Sequence, residues 1–87
     1  MDERVIKTRD VLRVEASIPE GHKHLRTTIT LTGGEKLTLQ EATVAAIVRA
    51  YTHIKTHPTA TTLTLSGKTL GSPKNGFAEW QLLEEDG

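Results

Sequence analysis

The stretch from Thr38 to His57 constrains this chain most, because it is the one segment that reads as a helix. Thr38 and Glu41 stand at the Thr-x-x-Glu spacing of a capping box, in which each side chain accepts the other residue's backbone N–H. At the far end Pro58 cannot donate to a helical ladder, and it pushes His57 out of the α region. Between these limits Val44, Ile47, Val48, Tyr51 and Ile54 recur at helical spacing and predict one apolar face. Strand and turn patterns fill the rest of the chain, so this helix is expected to cover one face of a small sheet.

The strands are read from alternation. Val11 to Ile18 places Leu12, Val14, Ala16 and Ile18 on one side and Arg13, Glu15 and Ser17 on the other. Pro19-Glu20-Gly21 ends that run, and His22-Lys23-His24 completes a loop. Leu25 to Thr32 alternates again, with Leu25, Thr27, Ile29 and Leu31 inward. A short loop between two such runs predicts antiparallel pairing. Gly33-Gly34 predicts a hairpin turn of the primed type, in which glycine supplies positive φ. Lys36–Leu39 reads as a short third strand feeding the helix.

After Pro58, Thr61–Ser66 predicts a strand with Leu63 and Leu65 inward. Residues 67–76 hold three glycines and a proline and read as a long loop, with a short return strand at Lys68–Leu70. Gly76–Glu84 predicts the last strand, with Ala78, Trp80 and Leu82 on one face. The expected fold is α+β: a mostly antiparallel sheet of four to five strands with a single helix on one face, in the order strand, strand, short strand, helix, strand, strand. Residues 1–87 are expected to form one domain, with residues 1–8 mobile and residues 85–87 an acidic tail.

Composition then limits the function. With no cysteine there is no disulfide, thiolate metal site or Cys nucleophile. No apolar run is long enough for a signal peptide or a membrane span, so a cytoplasmic protein without membrane contact is expected. The formal net charge is +0, which gives no general attraction for nucleic acid or anionic lipid. The charge is uneven, since Glu79, Glu84, Glu85 and Asp86 crowd the end of the chain without a compensating Lys or Arg. Only 3% of the residues are aromatic, and a chain of 87 residues buries a modest share of its surface. A second copy would supply the missing cover.

Several groupings could carry chemistry. Gly67-Lys68-Thr69 has the end of a phosphate loop, but Thr62 stands where the first glycine belongs, and Gly71 and Pro73 prevent the helix that must follow. Its glycine is read instead as permitting a turn. His53 and His57 stand one helical turn apart, and His22 and His24 project to one side of an extended segment. These four are the metal-ligand candidates. No carboxylate adjoins either pair in sequence, so neither metal nor cofactor is expected. No serine elbow or walled carboxylate pair is present, so the chain is not expected to be an enzyme, and a small His-based catalytic site ranks third. Thr28, Thr30 and Thr32, with Arg13 and Arg26, outline a polar sheet face able to meet phosphates, which gives a nucleic-acid-binding alternative through weak contacts. Ala42, Ala46 and Ala50 form a strip of small residues along the helix that admits close approach of another element. The resulting expectation is a small interaction domain acting as a homodimer or as an accessory to a protein partner. Arg13, Arg26, Thr28, Thr30, Ala42, Ala46 and Ala50 are its candidate contact residues.

Overall fold

The computed structural model describes residues 3–69 and 80–85. They form an α+β fold of five strands and one α-helix, in the order expected from the sequence. The five strands divide between two antiparallel sheets, of three strands and of two, rather than joining in one. The chain separates into two compact units, Met1–Glu41 and Ala42–Gly87.

The first unit holds a 3-10 turn at Thr8–Asp10 and three strands, β1 (Val11–Ser17), β2 (Arg26–Leu31) and β3 (Lys36–Gln40), with β2 central. The register sets Val14 opposite Ile29 and Ile29 opposite Leu37, and Ala16 opposite Thr27 and Thr27 opposite Leu39. These residues share one face, so the alternation in the sequence is the alternation of the sheet. Between Val11 and Arg13 the register shifts by one residue, a β-bulge that places Leu12 beside Val11 on the apolar side. Two successive apolar residues at the start of an alternating run are its trace in the sequence.

The two loops of this unit depend on glycine at single positions. In Pro19–His22 the His22 N–H donates to the Pro19 carbonyl at 3.0 Å, and Gly21 at the third position has φ 82°. Between β2 and β3 the Gly34 N–H donates to the Leu31 carbonyl at 2.9 Å, and the Leu31 N–H donates to Glu35 at 2.8 Å. Gly34 alone of the glycine pair takes positive φ, at 95°. The hairpin therefore turns through three residues with a left-handed third position, in place of the expected primed turn.

The second unit holds α1 (Glu41–Thr56, its first residue lying in the first unit), β4 (Leu65–Thr69) and β5 (Trp80–Glu84). The helix starts at Glu41, not at a cap on Thr38. Thr38 lies within β3, opposite Thr28, and the two hydroxyls are 3.0 Å apart. The Glu41 carboxylate meanwhile accepts from His24 and from the Leu25 N–H. The capping box fails because both members are held by β2 and the loop before it. The helix also turns an unexpected side inward. Ala46 is 8% exposed, and Thr43, Ala50 and His53 are half-buried, as are Val44 and Ile54 of the expected face. Ile47 is 55% exposed, and Val48 and Tyr51 are exposed as well. Ile47 is therefore not the core residue its spacing predicts.

β4 begins four residues later than expected and runs through Gly67, where the sequence suggested a turn. Gly67 sits opposite Leu82, and the Trp80 indole lies across it; a methyl group at Gly67 would collide with the ring. The glycine is a seat for the indole, an aromatic laid over a bare strand position. The expected return strand at Lys68–Leu70 is, as far as Thr69, the second half of β4 itself. Residues 70–79, including most of the expected loop and Ala78, lie outside the described residues.

Candidate functional site

The apolar face of the three-stranded sheet is only partly covered. Leu31 is 2% exposed, and Ile29 and Leu39 are half-buried. Leu12, Val14 and Leu37 on the same face are 64%, 60% and 49% exposed. Every residue of β1 from Leu12 to Ser17 is exposed, and among the described residues β1 pairs with β2 alone. Half of its backbone N–H and C=O groups therefore lie along an outer edge.

The opposite face carries the polar candidates. Arg13 lies opposite Thr30, which lies opposite Lys36. Thr28 stands between Glu15 and Thr38, and Arg26 between Ser17 and Gln40. Arg13 donates through Nε to Glu15 at 2.9 Å, with both side chains more than half exposed. Arg26 is set four residues along β2 from the partner of Arg13, about 13 Å away. The two guanidinium groups thus mark separate ends of the sheet. Thr30, opposite Arg13, is 5% exposed, and among the described residues its hydroxyl has no hydrogen-bond partner. Thr28 is half-buried, its hydroxyl beside that of Thr38. The position between Arg13 and Lys36 is thus enclosed, where a phosphate-binding plate needs it open.

The histidines have separate duties. His24 Nδ1 lies 3.0 Å from a Glu41 carboxylate oxygen; since a carboxylate only accepts, Nδ1 carries the proton. The other Glu41 oxygen takes the Leu25 N–H at 3.3 Å. The His24 hydrogen bond, with the smaller help of the Leu25 N–H, holds the Glu41 carboxyl below the usual carboxylate range. His57 Nδ1 accepts the backbone N–H groups of Thr59 and Ala60 at 3.1 and 2.8 Å. That nitrogen bears no proton, and its lone pair is engaged in holding the turn after Pro58. The His53 and His57 rings lie 5.2 Å apart, tilted by 33°. Among the described residues no three metal-ligating side chains gather into a group that could hold an ion. His22 and His24 belong to the first unit and His53 and His57 to the second.

Of the alanine strip, Ala46 is buried, Ala50 half-buried and Ala42 exposed. Leu12, Val14 and Leu37 are not among the contact residues expected from the sequence. Their signals were the Val11-Leu12 doublet and the Lys36–Leu39 alternation. No helix among the described residues is long and apolar enough to cross a membrane. No family model, curated protein or solved structure matches this chain.

Proposed function

We propose that the chain is a small cytoplasmic interaction domain that works by binding protein, either a second copy of itself or a larger partner to which it is accessory. The observation that supports this is the exposure of Leu12, Val14 and Leu37 on one face of a three-stranded sheet. Bringing such side chains out of water stabilises by roughly 25 cal/mol for each Å² of apolar surface removed. A contiguous apolar face on a small domain marks a contact surface more often than a free one. The nucleic-acid alternative is less well supported, because Thr30 is buried between Arg13 and Lys36 and the arginines stand apart. Sedimentation equilibrium over a range of concentrations tests the reading. The expected result is a mass of twice 9.6 kDa at micromolar concentration, or a partner that binds through the same three residues. A mass of 9.6 kDa at every concentration, with no partner sensitive to Leu12, Val14 or Leu37, overturns it.

A further inference from the structure

We propose that the outer edge of β1 pairs antiparallel with β1 of a second copy, with the two-fold axis passing through Val14. The proposal rests on the reading of the chain as an interaction domain, and it names the occupant and the register. Leu12-Arg13-Val14-Glu15-Ala16 is apolar, positive, apolar, negative, apolar. Rotated about Val14, the segment falls on itself with the charges exchanged. Val14 then faces Val14 of the other copy, Arg13 faces Glu15, Glu15 faces Arg13, and Leu12 faces Ala16. Such an interface is self-complementary, as two-fold symmetry requires.

The register is selected by the charges. Two antiparallel strands related by a two-fold axis must place a residue on that axis so that their faces agree. Centring the pair on Arg13 sets two arginines directly opposite, and centring it on Glu15 sets two glutamates opposite. Directly opposed like charges destabilise a ladder, whereas opposite charges stabilise it. Val14 is the centre that yields two attractive pairs and an apolar contact on the axis. Arg13 and Glu15 are already within salt-bridge distance of each other, and both are exposed, so they are free to exchange partners across the edge.

The other edge of this sheet offers nothing comparable. β3 reads Lys36-Leu37-Thr38-Leu39-Gln40, with no acid to answer Lys36. The bulge at Leu12 leaves Arg13–Ser17 as the regular stretch of β1, so the ladder is centred on Arg13, Val14 and Glu15, with the Leu12–Ala16 contacts at its two ends. The union makes one six-stranded sheet in which the apolar faces of both copies lie on the same side.

Because the chain has no cysteine, single cysteines report the register directly. Directly opposed residues in an antiparallel pair have Cα atoms about 4.5–5.5 Å apart, within reach of a disulfide. Val14→Cys should therefore form a covalent dimer under mild oxidation. Leu12→Cys and Ala16→Cys lie about 14 Å from their own copies and should not, yet an equimolar mixture of the two should cross-link. Val14 is exposed, so its replacement leaves the fold intact. A second arm uses charge. Arg13→Glu should weaken the dimer about tenfold, and the double exchange Arg13→Glu with Glu15→Arg should restore it. A dimer seen by light scattering in which Val14→Cys cross-links no faster than Leu12→Cys overturns the register and leaves the interaction reading standing. A chain that stays monomeric, binds no partner and does not cross-link overturns both.

Discussion

At the scale of the residue, two side chains carry testable consequences. Among the described residues, Thr30 has left water without gaining a hydrogen bond. Burying a hydroxyl this way costs about 1–3 kcal/mol, a penalty that a side chain of the same shape without the oxygen avoids. Thr30→Val is therefore expected to leave stability unchanged or raise it by up to about 1 kcal/mol in denaturant unfolding. A clear loss would mean that the hydroxyl has a partner. Glu41 is the second. Its folded pKa lies below the unfolded one, so its contribution to stability is present above the unfolded pKa and is lost as pH falls through the folded one. Carbon-detected titration should place the Glu41 midpoint below the ordinary carboxylate value, and His24→Ala should move it upward, because the His24 hydrogen bond is the largest cause. An unmoved midpoint would assign the effect elsewhere. Glu41 is exposed, so the readout is the titration itself and not the melting temperature.

At the scale of the element, legibility followed competition for each residue. β1 and β2 were legible because alternation of period two admits one pairing of faces, and the register joins Val14, Ala16, Thr27 and Ile29 on one side. The helix start was misplaced because Thr38 had two possible partners. Sequence spacing favours the capping box, while the fold sets Thr38 opposite Thr28 across a strand pair. The covered side of α1 was misread because large apolar side chains dominate any helical periodicity. The covered residues are Thr43, Ala46, Ala50 and His53, small or polar and weighted lightly by periodicity, together with Val44 and Ile54 from the edges of the expected face. β4 was placed too early because Gly67 reads locally as a breaker. Its role depends on Trp80, thirteen residues later and on the partner strand. Gly67→Ala is expected to destabilise the β4–β5 pair by about 1–3 kcal/mol through overpacking, and to shift the indole N–H resonance. An unaltered resonance would mean that the ring does not lie on the glycine.

At the scale of the molecule, function was less legible than fold. The sequence suggested that a second copy would complete the core, and the exposed Leu12, Val14 and Leu37 locate where that shortage is felt. If a dimer forms, mass action ties stability to concentration. A tenfold dilution through the dissociation range should lower the melting temperature, whereas a monomer would melt at one temperature throughout. Polar candidates were legible as residue types but not as a surface. Alternation puts Arg13, Arg26, Thr28 and Thr30 on one side of the sheet, and it cannot reveal that Thr30 is enclosed there.

The placement of the aromatic residues has a practical consequence. Tyr51, Phe77 and Trp80 all belong to the second unit, and the first contains none. Ultraviolet absorbance, intrinsic fluorescence and near-ultraviolet dichroism therefore observe α1, β5 and their neighbours, and are blind to the three-stranded sheet. A single smooth optical transition would describe half of the chain. A tryptophan introduced at Leu37 would give the other half a signal of its own, and coincidence of the two transitions would then measure whether the halves unfold together.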